Sequence, residues 1–143
     1  MLSFFKRIAQ LRNLLFPYSP LGARGETIAA RYLRRLGYKI VSRGDRHRLG
    51  EIDIVAVDGE TLVFVEVKTR SSHHFGHPVE AVDDDKRRRL TRLALGFLMR
   101  YDLMENAARF DIIAVTWPED SKKPTIQHYK NAFEAANIDS LFC

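Results

Sequence analysis

Cysteine is nearly absent from this chain of 143 residues: the single one, Cys143, is the last. A lone cysteine builds neither an internal disulfide nor a cysteine-ligated metal site, and its rarity fits the reducing cytoplasm, which is the expected location. Long apolar runs are missing as well. No stretch reaches the ~18 residues that cross a bilayer, so no transmembrane segment is expected. Lys6, Arg7 and Arg12 interrupt the apolar residues before Leu15, with no small-residue cleavage site after them, so a signal peptide is not expected either. Internal repeats and low-complexity segments are also lacking.

Acidic residues are the minority charge, 18 Asp and Glu against 23 Lys and Arg, for a formal net charge of +5 and a pI near 9.6. That balance favours a polyanionic partner, either nucleic acid or an acidic membrane surface. A hydrophobic content of 45% suffices for one core. One domain over residues 21–143 is expected, preceded by an extension and linker over residues 1–20.

The chain is organised around residues 49–70. Gly50-Glu51-Ile52-Asp53-Ile54-Val55-Ala56 and Leu62-Val63-Phe64-Val65-Glu66-Val67-Lys68 flank a turn at Asp58-Gly59, the pattern of a β-hairpin. The second strand is apolar on both faces up to Val65, as a central strand covered on both sides would be. It then presents Glu66 and Lys68, which share a face because they are two apart. Counting back from the turn places Asp53 opposite Phe64 to Glu66. Buried charges need partners. Asp53 and Glu66 supply two oxygens for a hard divalent cation, with Lys68 beside it, a set that suits phosphodiester hydrolysis. A cross-strand salt-bridge cluster on a half-exposed sheet accounts for the same three residues equally well.

Elsewhere, Phe4, Ile8, Leu11 and Leu15 recur at helical spacing until Pro17 and Pro20. This short amphipathic helix either docks on the domain, pairs with another copy or lies on a membrane, and docking or disorder is preferred to membrane contact. A second helix follows Gly22, with Ile28, Ala29, Tyr32, Leu33 and Leu36 as its stripe and Gly37 as its cap. Glu26 sits in its first turn as a partner for the helix dipole or as a metal or substrate contact. After a short strand at Tyr38–Ser42, a basic loop from Arg43 to Arg48 carries Arg43, Arg46, His47 and Arg48, as phosphate contacts or as a solvated segment. The loop over residues 71–78 holds His73, His74 and His77 at a spacing that matches no tight zinc signature.

Asp83 to Asp85 cap a third helix whose face is Leu90, Leu93, Ala94, Phe97, Leu98 and Tyr101. Lys86 lies in line with that face and either points towards the carboxylates or snorkels. Arg109 to Val115 reads as a strand interrupted by Asp111, a partner for an arginine. Thr125–Tyr129 reads as an edge strand, and Ala132, Phe133 and Ala136 as a short closing helix. Arg43, Arg46, Arg48, Arg70 and Lys86 make up the expected nucleic-acid-binding set, for DNA ahead of RNA.

The order helix, strand, strand, strand, helix, strand (α-β-β-β-α-β), with an acid and Glu-x-Lys on the second and third strands, resembles the core of the restriction-endonuclease-like nucleases: an α/β fold with a mixed central sheet flanked by helices. Gly22-x-x-Gly25-Glu26, Gly50-Glu51-Ile52-Asp53, Val63 to Arg70, Phe75-Gly76, Lys86 and Arg109-Phe110-Asp111 more closely resemble the YraN-like family of small bacterial proteins. The resemblance spans about Gly22 to Val115. It implies a metal-dependent nuclease similar to archaeal Holliday-junction resolvases, acting on DNA, including branched or repair intermediates. It also implies that Glu26 joins Asp53 and Glu66 around magnesium or manganese, with the Val67 carbonyl as a further ligand and Lys68 serving the attacking water. A homodimer would suit a four-way junction. The alternative is a nucleic-acid-binding module of the same fold without useful turnover.

Overall fold

The computed structural model describes residues 3–15, 24–47, 50–70, 76–118 and 122–137, with the backbone alone at 12–15 and 45–47. Helices α1 (Phe4–Leu15) and α2 (Arg24–Arg35) precede strands β1 (Lys39–His47), β2 (Gly50–Asp58) and β3 (Thr61–Arg70). A one-turn 3-10 helix (Pro78–Ala81) and α3 (Asp84–Arg100) follow, then β4 (Ala108–Thr116) and β5 (Thr125–Phe133). The strands form one five-stranded sheet in chain order. Its pairings are antiparallel except β3 with β4, a parallel pair that needs the α3 crossover to return the chain.

β3 is the central strand, as its doubly apolar pattern requires. Leu62 and Phe64 point into one core layer with Leu90, Leu93 and Phe97 of α3. Val63 and Val65 point into the other, against Ala29 and Leu33 of α2. Phe64 and Phe97 meet edge to face, with centroids 5.8 Å apart, an arrangement favoured by the ring quadrupoles. The result is an α/β fold with a mixed sheet flanked by helices.

Local signals place the helix ends. Gly37, at φ +92°, closes α2 with Tyr38 N–H donating to Leu33 O and Gly37 N–H to Arg34 O, each at 3.0 Å, a Schellman closure. Asp83 Oδ1 accepts the Lys86 N–H at 2.8 Å and caps α3. α1 docks on its own chain: Ile8 and Leu11 are buried in the α3-side core, and Arg7 Nη1 donates to Asp102 O at 2.9 Å.

Three local expectations are corrected. The hairpin reverses at Gly59-Glu60, one residue later than expected, because Asp58 already pairs with Thr61 and Gly59 supplies the positive φ of +63°. The supposed basic loop from Arg43 to Arg48 is strand as far as His47, with Arg43 paired to Ile54 and Asp45 to Ile52; Arg48 lies outside the described residues. An edge strand exposes one row of its residues, so charge is tolerated there. The closing helix at Ala132 to Ala136 is absent. β5 continues to Phe133, which pairs with Phe110 and stacks on its ring at 4.8 Å. Cross-strand aromatic contact thus outweighs the local apolar spacing.

Candidate functional site

The β2–β3 ladder ends at Ile54 and Val65, one step before Asp53 and Glu66. There the Asp53 side chain replaces the backbone: Oδ2 accepts the Val67 N–H at 2.8 Å. A donor at the end of the ladder is satisfied, and the carboxylate is held in one orientation.

Glu26 reaches the same place from α2. The approach depends on Gly25, where a Cβ would lie 2.0 Å from Thr69 Oγ1 of β3, so only glycine lets the first turn of α2 touch the sheet. Glu26 is 4% exposed, with Arg43 Nε 3.5 Å from its Oε1. Arg43 Nη2 also donates to Thr27 Oγ1 at 2.9 Å. Arg43 therefore braces the start of α2 and offsets the burial of a carboxylate.

Glu51 completes the cluster. One carboxylate oxygen from each of Glu26, Glu51 and Asp53 lies within 4.8 Å of the others. Sequence reasoning did not assign Glu51 a role, although its position two residues before Asp53 puts both on one strand face. Glu66 stands to the side, with its Oε1 2.6 Å from Lys86 Nζ and 3.3 Å from Lys68 Nζ.

This crowding sets the proton affinities. Burial first, then the charge of Glu66, pushes the Asp53 carboxyl up to about 7 against the Val67 hydrogen bond, with smaller repulsion from Glu26 and Glu51. Burial lowers the Lys68 ammonium, and its neighbour Lys86 lowers it further, against the pull of Glu66. Burial acts on Lys86 in the same direction, but its hydrogen bonds to Glu66 and Lys68 outweigh it and hold that ammonium above its ordinary value. The two lysines are thus unequal, Lys86 the firmer cation and Lys68 the readier to lose a proton.

Of the remaining expected residues, Lys86 joins the site and the others that are described lie away from the carboxylates. Arg70 Nη1 donates to Gly76 O at 2.6 Å, and Lys86 faces Glu66 from α3. The Arg46 side chain, Arg48, His73 and His74 fall outside what is described. His77 caps the 3-10 helix, its Nδ1 accepting the Val79 N–H at 3.3 Å. Asp111 does partner an arginine. Its Oδ1 accepts from Arg109 Nε at 3.0 Å, and Oδ2 lies 2.7 Å from His128 Nε2. A larger cavity of about 300 Å³, lined by Leu95, Leu98, Phe110 and Phe133 among others, lies between α3 and the β4–β5 hairpin, away from the carboxylates.

A mixed sheet whose central hairpin bears Asp and Glu-x-Lys, flanked by helices on both faces, defines a restriction-endonuclease-like α/β core. Within that class, the model of the uncharacterised protein family UPF0102 matches residues 25–115. The chain belongs to this family. It is 45% identical over 125 residues to a UPF0102 protein of Rhodopirellula baltica, covering 85% of this chain and 75% of the relative. It is 51% identical over 116 residues to one from Geobacter sulfurreducens, covering 81% and 90%, and 49% identical over 116 residues to one from Geobacter metallireducens, covering 81% and 93%. Among the described residues no helix is long and apolar enough to cross a membrane.

Proposed function

We propose that this protein is a metal-dependent nuclease that hydrolyses phosphodiester bonds in DNA, branched or repair intermediates included. The observation that carries the reading is the division of one site into two halves: carboxylate oxygens of Glu26, Glu51 and Asp53 within 4.8 Å of one another, and two lysines on Glu66.

The oxygen-only donor set suits magnesium or manganese over a soft metal, and the carboxyl of Asp53, raised to about 7 by burial and by the charge of Glu66, would be drawn down by a cation held there. Asp53, Glu26 and Glu51 would hold the ion, with Glu66 and the Val67 carbonyl as further donors. When bound, such an ion polarises the phosphoryl group and acidifies a water.

The chain's own groups supply the rest. Val67 N–H fixes the Asp53 carboxylate, and Arg43 braces Glu26. Lys68, its proton affinity lowered, can accept a hydrogen bond or a proton from the attacking water at Nζ and return a proton to the departing oxygen. Lys86 stays charged beside it and stabilises negative charge that builds on the phosphoryl oxygens. A net charge of +5 favours a nucleic-acid substrate.

A second reading, a nucleic-acid-binding module without turnover, is favoured by one feature: both lysines engage Glu66, which occupies a carboxylate that an ion would otherwise use. The deciding experiment is cleavage of labelled single-stranded, duplex and four-way-junction DNA with magnesium, manganese or chelator, comparing wild type with Asp53→Ala and Lys68→Ala. Metal-dependent cleavage abolished by both substitutions, with folding retained, is the expected result. Salt-sensitive binding without any product would instead establish the binding module.

A further inference from the structure

We propose that a cleft on the β3–β5 side of the site holds one nucleotide of the strand being cut, a few nucleotides at most from the scissile phosphate. The inference rests on the nuclease reading and adds a substrate subsite to it.

Sheet register places the cleft. Lys68 is aligned with Ala114 on β4, and Ala114 with Gln127 on β5; Glu66 is aligned in the same way with Ile112 and then Tyr129. Residues so aligned present their side chains on one face of the sheet. Gln127 and Tyr129 therefore stand in the rows of Lys68 and Glu66, two strands away. At about 4.8 Å per strand that is on the order of 10 Å, within the span of a few nucleotides at about 3.4 Å rise each.

The cleft is lined by Arg70, Gly76, His77, Thr116, Gln127 and Tyr129 among others, and its volume is about 230 Å³. That is below the ~300 Å³ at which pockets for whole drug-sized ligands begin, so the cleft suits one unit of a longer polymer. Its chemistry matches such a unit. The Arg70 guanidinium, one of whose five N–H donors is used on Gly76 O, offers charge for a phosphate. The rings of His77 and Tyr129 pack edge to face with centroids 4.6 Å apart, and aromatic faces stack on any base without reading its identity. The Gln127 amide, which accepts from Tyr129 Oη at 3.1 Å, adds donors and an acceptor for a base edge or sugar. Cation, rings and amide in one small cleft, on the face that carries Glu66 and Lys68, are the components of a single-stranded nucleic-acid groove.

The test uses the full chain and single-stranded DNA carrying 5-iododeoxyuridine at successive positions. Photocrosslinking with peptide mapping should place crosslinks at His77 or Tyr129. Fluorescence anisotropy should show Tyr129→Leu weakening binding about fivefold or more, and Tyr129→Phe leaving it near wild type, since stacking needs the ring and not the hydroxyl. Crosslinks confined to other segments, or unchanged affinity for a folded Tyr129→Leu, overturn the subsite. If wild type also cleaves in an Asp53-dependent manner, the nuclease reading survives that result. If no DNA or RNA strand binds, both fall. Should Tyr129→Leu not fold, crosslink mapping on wild type decides alone.

Discussion

Lys86 Nζ lies 2.6 Å from Glu66 Oε1, so a lysine from the first turn of α3 makes the shortest ion pair in the site, closer than Lys68 from the same strand as Glu66. The pair fixes one charge and lowers the other. Replacing Lys86 with methionine should raise the titration of Lys68, because a neighbouring cation is removed and Glu66 is freed to pair with Lys68 alone. Side-chain Nζ resonances followed through a pH titration would show this. Cleavage, if it depends on neutral Lys68, should then rise at higher pH than in wild type.

Asp53→Asn should stabilise the protein in neutral and basic solution. The sign follows from a carboxyl raised to about 7 in the folded state against an ordinary value near 3.9 unfolded. The contribution of Asp53 is fully present below about 3.9 and is lost as the pH rises through about 7. Above that, the folded chain carries a crowded carboxylate that asparagine removes while keeping an acceptor for Val67 N–H. Denaturant unfolding at pH 5 and pH 8 should show a gain at both that is larger at pH 8, by ~2–3 kcal/mol. Added magnesium or manganese should raise the melting temperature of wild type and not of the variant.

Gly25→Ala tests the helix–sheet approach. On an exposed helix the change would add ~1 kcal/mol. Here the new Cβ collides with Thr69, and overpacking of this kind costs ~1–3 kcal/mol. A net loss, with a weaker cation-induced rise in melting temperature because Glu26 is displaced, is the expected outcome. Adding Thr69→Ala, which removes the colliding oxygen, should restore most of both. A Gly25→Ala protein that is simply more stable would show that α2 has room to move.

Asp111→Ala should cost ~3–5 kcal/mol, as removing one member of a buried charge network does. Asp111 is fully buried, and besides Arg109 and His128 it accepts the Asn131 N–H at 2.9 Å. Burial alone would raise its carboxyl, but His128, Arg109 and Asn131 together hold it below the ordinary value. Its contribution is therefore present above about 3.9 and lost as the pH falls through the lower folded value. Urea midpoints of wild type and Asp111→Asn should converge in acid and separate near neutrality.

The sequence by itself determined the hairpin, the central place of β3, the meeting of Asp53 with the end of that strand and the two capped helices. Each follows from signals a few residues long: alternation, an Asp-Gly pair, an aspartate before an apolar stripe, a glycine after one. These are properties of the chain against water and need no knowledge of its neighbours. Tertiary structure alone decided the rest. Whether Arg43 to His47 is loop or strand depends on a partner strand that offers hydrogen bonds, and whether Phe133 joins a helix or a sheet depends on Phe110. Lys86 could snorkel or turn inward until Glu66 was placed opposite it. Glu26 joined Asp53 because Gly25 lets a helix lie against Thr69, a through-space contact between residues 44 positions apart. Glu51 was on the right face from the start, but whether a strand-face carboxylate meets solvent or two other carboxylates is set by what the fold brings across from it.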